Sequence, residues 1–242
     1  MSQAEKIYTV LTLDEEEFFA LQNLPPADFM EIRLDLFLNE SGKPEKILDI
    51  LEKLSARAIL TYRQPEDSSV KARSIWTQED VTPFLRKLQG GNHYLDVELD
   101  KDNSIFTEAE DSNFGIVRSI HSFSGILGSE ELEFYFRTVA EEAIGSRRTN
   151  LPFDRILKVA VMPDSEEESR EFVEISRKIS ELVKEEGTRF GYCGILMGDS
   201  GKEFRIFPEK IGSQFTYACF KNPKAPGQVG LQELLESRKN GF

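Results

Sequence analysis

Residues 154–163 read Asp154-Arg155-Ile156-Leu157-Lys158-Val159-Ala160-Val161-Met162-Pro163. A short apolar run that is rich in β-branched residues and ends at a proline is typical of a strand buried on both faces, as in a parallel sheet. Lys158 lies in the middle of this run. Because side chains alternate along a strand, Lys158 shares one face with Ala160 and Met162, and Leu157 lies on the other. The stretch therefore predicts a parallel sheet that contains one lysine.

Two interpretations of Lys158 follow from this placement. Burial removes the hydration of an ammonium group, so it favours the neutral amine, which is a nucleophile able to form an imine with a ketone or aldehyde. The alternative is a lysine at the mouth of a strand, whose ammonium reaches water or pairs with a carboxylate. The strand alone favours the second interpretation, and the pattern in the rest of the chain favours the first.

The size and charge of the chain limit its architecture and its partners. At 242 residues it can bury a full core, and α/β barrels of this length commonly form one domain, so we predict a single domain over residues 1–242. The net charge of −13 disfavours nucleic acid and anionic membranes as partners. An anionic small substrate would then need a local basic pocket.

We expect a cytoplasmic location. The first residues carry no apolar core of the kind found in signal peptides, and no apolar run is long enough to span a bilayer. Cys193 and Cys219 both lie in apolar, strand-like runs, which favours buried free thiols over a disulfide. The sequence contains no CxxC pair and no HExxH motif, so a metal site has little support.

Eight strand-like runs alternate with amphipathic segments along the chain. The runs are Ile7–Leu13, Phe29–Phe37, Ala58–Arg63, Tyr94–Asp100, Phe114–Phe123, Ile156–Pro163, Phe190–Gly198 and Phe215–Phe220. Such alternation implies parallel pairing through right-handed crossovers. We therefore predict an α/β fold, the (β/α)8 TIM barrel: a parallel eight-stranded barrel with outer helices. No Gly-rich dinucleotide fingerprint or phosphate-binding GxxxxGK[ST] motif is present.

The helices predicted between these strands are recognised by apolar residues at helical spacing and by acidic first turns. They are Asp14–Leu21, Pro44–Leu54, Thr77–Leu88, Ser129–Ile144, Ser165–Val183 and Gly227–Ser237. Two connections, Asn103–Ser112 and Gly201–Gly212, are weaker, and each has room for a turn or two of helix.

Charged residues inside otherwise apolar strands point to the position of a site. In a TIM barrel the chemistry gathers at the C-terminal ends of the strands. Glu31, Arg33 and Asp35 alternate along the second predicted strand, and parallel barrel strands have no solvent face, so we expect these charges to meet inside the barrel mouth. The third strand ends at Arg63, and the fourth carries two further carboxylates in Asp96–Glu98.

The two histidines of the chain have different predicted roles. His121 lies near the end of the fifth strand, and a side chain with a pKa near 6.5 is well suited to proton transfer at neutral pH. His93 precedes the fourth strand, so it lies at the opposite, N-terminal face, and we predict a structural role for it. The strands together place a base, an acid and an amine at one mouth.

The order of these motifs resembles that of type I 3-dehydroquinate dehydratases, the Schiff-base enzymes of the shikimate pathway of aromatic amino acid biosynthesis. The resemblance extends from about Ile7 to Leu235. The segments that carry it are E-x-R-x-D at Glu31–Asp35, T-x-R at Thr61–Arg63, D-x-E at Asp96–Glu98, His121, Lys158, Met197–Gly198 with Gly201 and Arg205, and A-P-G-Q at Ala225–Gln228.

The resemblance implies the dehydration of 3-dehydroquinate to 3-dehydroshikimate without a metal or an organic cofactor. Lys158 is implied to attack the C3 ketone, and the iminium formed would accept electron density from C2. His121 is implied to remove the C2 proton and then to protonate the departing C1 hydroxyl, in a syn elimination.

The same resemblance implies how the substrate is held. Arg205 would bind the substrate carboxylate, and Gln228 would lie on a loop that closes over the site. Glu31, Arg33 and Arg63 would contact the ring hydroxyls, and Met197 would pack against the apolar side of the ring. Family members are often dimers, so a homodimer is possible, but no exposed apolar helix in the sequence decides the oligomeric state.

The chain departs from the family pattern at three positions. Ser122 stands where members usually have Asp in His-Asp-Phe. Asp67 stands where familiar members have the Glu that orients the histidine, and we assign it that catalytic role. Lys224 stands where a substrate-contacting serine normally precedes A-P-G-Q, and we expect it to contact the substrate or to crowd the loop.

Two other functions fit parts of the pattern. A class I aldolase-type lyase also uses a lysine on a barrel strand, but it would favour a phosphate site, whereas Arg205 and A-P-G-Q favour a carboxylate. A non-catalytic barrel that binds a shikimate-like ligand would fit the three departures, but both His121 and Lys158 are retained.

Overall fold

The strands form one parallel sheet. In the computed structural model of the chain, residues 6–63, 68–88, 90–100, 113–142, 149–187 and 189–240 are described. The strands are β1 (Tyr8–Leu13), β2 (Phe29–Arg33), β3 (Ala58–Tyr62), β4 (Tyr94–Glu98), β5 (Gly115–Ser122), β6 (Arg155–Val161), β7 (Phe190–Leu196), β8 (Phe215–Cys219) and β9 (Val229–Gly230). Their order is β7-β6-β5-β4-β3-β2-β1-β8-β9, and every neighbouring pair is parallel.

The sheet curls, so that β7 and β8 approach each other. The backbone amide of Gln214, just before β8, donates to the carbonyl of Tyr192 in β7 at 3.0 Å. The amides of Tyr192 and Gly194 donate to the side chains of Gln214 and Ser213 at 2.9 and 3.1 Å. The architecture is thus a curled parallel sheet with helices, similar to a TIM barrel.

Helices connect the strands on the outside of the sheet. They are α1 (Glu15–Phe19), α2 (Lys43–Leu54), α3 (Gln78–Leu88), α4 (Ser129–Glu141), α5 (Glu166–Glu186), α6 (Lys202–Ile206) and α7 (Leu231–Asn240), with 3-10 turns at Leu34–Leu36, Asp199–Gly201 and Pro208–Ile211. Polar side chains cap several of them, including α3, where Thr77 accepts the amide of Asp80 at 3.3 Å. Asp14 forms a capping box with Glu17 at the start of α1, and Ser165 accepts the amide of Glu168 at the start of α5.

The side chains of β6 alternate between the outside and the inside of the sheet as predicted. Leu157 and Val159 belong to a fully buried apolar cluster that includes Phe172 of α5, outside the sheet. Ile156 and Ala160 belong to a separate cluster inside the curl of the sheet. Lys158 lies between them in sequence, so its side chain points to the inside, and it pairs in register with Ser119 of β5.

The second strand is shorter than the sequence pattern predicts. The expected strand Phe29–Phe37 ends at Arg33 and continues as the 3-10 turn Leu34–Leu36. The side chain of Arg33 donates to Asp35 at 2.6 Å, and the backbone amide of Arg73 donates to the carbonyl of Asp35 at 2.7 Å. These contacts hold Asp35 in the turn, away from the ladder between β2 and β3.

Three further segments can be compared with the predictions, and one of them differs within the described residues. Helix α7 begins at Leu231 instead of Gly227, because residues 229–230 form β9 beside β8. The connection Gly201–Gly212 holds α6 and a 3-10 turn, as expected. The other weak connection, Asn103–Ser112, lies outside the described residues.

No helix in the described part of the chain is both long enough and apolar enough to cross a bilayer. Cys193 and Cys219 are buried and free, as predicted.

Candidate active site

One cavity opens at the carboxyl ends of the strands, with a volume of about 510 Å3 including its mouth. The cavity is lined by Thr12, Glu31, Arg33, Arg63, Ser68, Ser69, His121, Phe123, Lys158, Ala160, Ile195, Met197, Arg205, Tyr217, Lys224, Ala225 and Gln228. Every site residue predicted from the sequence is in this set except Asp67, which lies outside the described residues.

The amine of Lys158 lies inside the cavity and faces two carboxylates. Its Nζ donates to Oδ2 of Asp96 at 2.7 Å and lies 3.7 Å from Oε1 of Glu31. It also lies 4.5 Å from the centroid of the Tyr217 ring. Only 3% of the residue is exposed. The nitrogen that would attack a ketone is thus buried in the cavity between two carboxylates and an aromatic ring.

Asp96 is held as a carboxylate. Its Oδ1 accepts from the Ser119 hydroxyl at 2.5 Å, and its Oδ2 accepts from Lys158. Burial alone would raise the pKa of Asp96, but the charges of Lys158 and Arg63 and these hydrogen bonds lower it overall. A fixed negative charge therefore lies beside the nitrogen of Lys158.

His121, Glu98 and Arg63 form a compact group at the ends of β3, β4 and β5. Oε1 of Glu98 lies 2.7 Å from Nδ1 of His121 and 2.5 Å from Nη1 of Arg63, and that Nη1 lies 2.7 Å from the same Nδ1. The same Nη1 of Arg63, which can only donate, lies 3.0 Å from Nε2 of His121, so both imidazole nitrogens face this guanidinium. A neutral imidazole has one unprotonated nitrogen in either tautomer, and that nitrogen can accept a proton.

The charges around His121 keep it neutral. Burial, together with the positive charges of Arg63 and Lys158, holds the pKa of His121 well below its ordinary value of 6.5. Burial raises the pKa of Glu98 to about 7, although Arg63 acts in the opposite direction. At neutral pH the site thus contains an unprotonated imidazole, which suits a general base.

A chain of hydrogen bonds connects Glu31 to the loop after β8. Oε2 of Glu31 accepts from the Thr12 hydroxyl at 2.6 Å, and Oε1 accepts from the Thr61 hydroxyl at 2.9 Å. The amide nitrogen of Gln228 in turn donates to the Thr12 hydroxyl at 3.1 Å. Glu31 therefore connects Lys158 with Gln228.

The two arginines on either side of the cavity differ in their pairing. Arg33 donates to Asp35 and to the Ser68 hydroxyl, both at 2.6 Å, and to the carbonyl of Lys224 at 3.2 Å. Arg205 donates only to the carbonyl of Pro226, at 2.9 Å, and its Nε has no partner in the described structure. Burial lowers the pKa of Arg205 to about 10. A buried cation with no carboxylate partner among the described residues suits an anionic ligand.

Lys224 does not point its charge into the cavity. Its Nζ lies 2.7 Å from Oδ2 of Asp14 and 3.2 Å from Oε2 of Glu17, at the start of α1. Met197, directly after β7, is 2% exposed and contributes an apolar wall. His93 accepts the amide of Ala58 at 3.1 Å, at the N-terminal side of β3, which fits its predicted structural role.

Several groups at the site have roles that the sequence analysis did not assign. Asp96 and Glu98 were recognised as inward charges, but their partners Lys158 and His121 were not predicted. Thr12 was also missed, and a threonine near the end of an apolar strand carries little signal on its own. No group of three or more His, Cys, Asp or Glu residues able to hold a metal ion is found in the described residues.

Comparisons with known proteins agree with this geometry. The 3-dehydroquinate dehydratase of Aquifex aeolicus (strain VF5) is 28% identical over 220 residues, covering 89% of both proteins. That of Archaeoglobus fulgidus is 27% identical over 232 residues, covering 96% of both. The solved type I 3-dehydroquinate dehydratase from Clostridium difficile shares the fold, with a TM-score of 0.75 and 17% identity over 98% of this chain and 92% of that chain. The sequence model of the family described as Type I 3-dehydroquinase matches residues 15–239, and the chain therefore belongs to this family.

Proposed function

We propose that Lys158 and His121 carry out the dehydration of 3-dehydroquinate to 3-dehydroshikimate, the reaction of the family to which the chain belongs. One observation carries the assignment. The amine of Lys158 and the imidazole of His121 line the same cavity, each beside its own carboxylate, Asp96 and Glu98. The carboxylates let one residue act as the nucleophile and the other as the base.

The first step is formation of the imine. Lys158 loses a proton and attacks the C3 ketone, and the carbonyl oxygen leaves as water after it has taken up two protons. The iminium nitrogen keeps one positive charge. Asp96 at 2.7 Å and Glu31 at 3.7 Å from this nitrogen stabilise that charge.

The second step is the elimination. The unprotonated nitrogen of His121 removes the proton from C2, and the electron pair moves into the iminium to give an enamine. The enamine expels the C1 hydroxyl, which takes the same proton back from His121 and leaves as water. The carboxylate of Glu98, 2.7 Å from Nδ1, stabilises the imidazolium that exists between these two proton transfers. Hydrolysis of the remaining imine releases the product and regenerates Lys158.

The remaining residues bind the substrate. Arg205 pairs with the carboxylate, Met197 packs against the ring, and Gln228 closes the site from its loop. Glu31 and Arg63 contact the ring hydroxyls. Arg33 does the same after exchanging its bond to Ser68 for one to the substrate, since its donors are otherwise engaged by the protein.

We also retain proposals that rest on the sequence or on the resemblance. Asp67 helps to orient His121, and Lys224 acts at the loop as discussed below. The curled sheet closes as an eight-stranded barrel and residues 1–242 form one domain, which the hydrogen bond between Gln214 and Tyr192 supports. The protein acts in the cytoplasm as a homodimer, without nucleic acid, membrane or cofactor.

A single assay tests the reaction and the nucleophile together. The protein is mixed with 3-dehydroquinate, and the conjugated enone of the product is followed by its absorbance. In a parallel sample, borohydride reduces the imine, and peptide mass spectrometry locates the adduct. We expect enone formation and an adduct on Lys158, with neither in Lys158→Met. Carbon–carbon cleavage products would instead indicate an aldolase, and binding without enone or adduct would indicate a non-catalytic protein.

A further inference from the structure

The loop between β8 and β9, residues 221–228, is tied to the start of α1 by a lysine. We propose that Lys224 is a positioning residue whose ion pair with Asp14 and Glu17 holds this loop over the cavity and thereby places Gln228. The inference rests on the proposed function for its effect on turnover, but not for its effect on the loop.

The side chain of Lys224 is directed away from the ligand space. Its Nζ lies 2.7 Å from Asp14 and 3.2 Å from Glu17, and the residue is only 5% exposed. A cation between two carboxylates in a desolvated position is already satisfied, so it has little to offer the carboxylate of a ligand. A serine at this position would be too short to reach either acid.

Glu17 joins the loop to the helix through both of its oxygens. Its Oε1 accepts from the backbone amides of Lys221 and Asn222 at 3.0 and 3.4 Å. Its Oε2 accepts from the amide of Asp14 at 3.1 Å and also faces Lys224. One carboxylate thus completes the capping box of α1 and binds the first turn of the loop. Lys224 neutralises the charge that gathers there.

The backbone of Lys224 connects the ion pair with two residues that line the cavity. Its amide donates to Oε1 of Gln228 at 2.7 Å, and its carbonyl accepts from Arg33 at 3.2 Å. Gln228 continues through Thr12 to Glu31, which faces Lys158. If Lys224 moves, Gln228 and Arg33 each lose a fixed partner.

Two readouts separate positioning from direct contact with the substrate. The first is hydrogen exchange of the backbone amides in residues 221–228 without substrate, and the second is kcat and KM with 3-dehydroquinate. For Lys224→Met, which keeps the length and removes the charge, we expect the loop amides to exchange about tenfold faster, since local opening becomes easier. We expect KM to rise about tenfold with a smaller change in kcat, since substrate binding must then order the loop. Lys224→Arg should restore most of both values.

Two further variants make the test specific. Lys221→Met removes an equal charge from an exposed position in the same loop, and we expect it to leave exchange, kcat and KM unchanged. Asp14→Asn keeps an N-cap of similar quality and removes only one of the two acids, so it should change exchange and KM in the same direction as Lys224→Met, but less. If Lys224→Met does not fold, Asp14→Asn tests the same ion pair in its place.

The outcomes are distinct. Exchange like that of the wild type in both Lys224→Met and Asp14→Asn would overturn the proposal. A raised KM with unchanged exchange would also overturn it, because Lys224 would then act on the substrate directly. If the wild type shows no dehydratase activity, the proposed function fails, whereas faster exchange in the variants still supports the ion pair as the element that holds the loop.

Discussion

Oε1 of Glu98 lies 2.7 Å from Nδ1 of His121, so a carboxylate at the end of a strand faces the imidazole directly. Glu98 is the last residue of β4, and its backbone is fixed in the sheet beside Ser119 of β5. A carboxylate in this position stabilises the protonated form of His121. It is therefore expected to affect proton transfer more than imine formation.

Glu98→Gln should lower kcat and leave the imine intact. Glutamine keeps the shape but carries no charge, so the imidazolium formed during the reaction is less stabilised, and we expect kcat to fall about 10- to 100-fold. Borohydride should still trap an adduct on Lys158. His121→Ala provides the comparison, with turnover lost and trapping retained. An unchanged kcat in Glu98→Gln would remove Glu98 from the reaction.

The same substitution should change how stability depends on pH. Burial raises the pKa of Glu98 from an ordinary value of 4.5 to about 7. Between these values the folded protein binds more protons at this position than the unfolded chain does. This contribution to stability is present below pH 4.5 and is lost as the pH rises towards 7. The free energy of unfolding is measured in urea for both proteins. The value for Glu98→Gln minus that for the wild type should therefore increase from pH 5 to pH 8.

A difference between variant and wild type that stays constant across this pH range would contradict the raised pKa of Glu98. The contribution of His121 to stability depends on pH in the opposite direction. Its lowered pKa favours protonation of the unfolded chain, so its contribution is present above pH 6.5 and is lost as the pH falls below that value. His121 is present in both proteins, so the difference in stability between Glu98→Gln and the wild type reports the contribution of Glu98.

Lys158→Met should abolish turnover and also destabilise the fold. Removal of the ammonium leaves Asp96 as a buried carboxylate without its closest cation, and breaking such a pair typically costs about 3–5 kcal/mol. Lys158→Met combined with Asp96→Asn should recover much of that loss while remaining inactive. Urea unfolding and the enone assay measure the two effects. If the double variant is as unstable as the single one, the ion pair is not the cause.

The sequence predicts the strands and the inward face of Lys158 well, because alternation along a strand is a local property. The predicted site residues on or directly after strands line one cavity because parallel strands bring their carboxyl ends together, and Arg205, Lys224 and Gln228 reach it from α6 and the loop after β8. The end of β2 could not be predicted. It depends on a backbone bond from Arg73, which lies far along the chain from Asp35.

The direction of the Lys224 side chain is a second feature that the sequence could not supply. Both acids that bind it, Asp14 and Glu17, lie at the other end of the chain, and in sequence they read only as a helix cap. The pairing of Glu98 with His121 is similar. The motif Asp96–Glu98 shows two inward carboxylates, but which of them meets the lysine and which the histidine depends on the stagger between β4, β5 and β6.

Gly227→Ala should disturb the loop that carries Gln228. Gly227 has φ of +69°, a conformation that disfavours side chains, and an added Cβ would lie 2.1 Å from the carbonyl oxygen of Gly198. The loop must therefore move, and we expect KM to rise at least tenfold, with a loss of about 1–3 kcal/mol in stability. Gly230→Ala, which has open space for a Cβ, is the matched control. Equal kinetics in the two variants would argue against a fixed loop.

Arg205→Met should weaken substrate binding without weakening the fold. Arg205 is buried and has no ion-pair partner in the described part of the chain, so its charge costs stability that a bound carboxylate would offset. We expect KM to rise by about 100-fold or more, as for the loss of a buried charged contact of about 3 kcal/mol, with the melting temperature unchanged or higher.

Arg33→Met is the contrasting variant. It leaves the buried carboxylate of Asp35 without its cationic partner, so it should lower the melting temperature. Kinetics and thermal unfolding of the two variants, measured side by side, check this contrast. A lower melting temperature for Arg205→Met would mean that this arginine stabilises the fold and is not reserved for ligand binding.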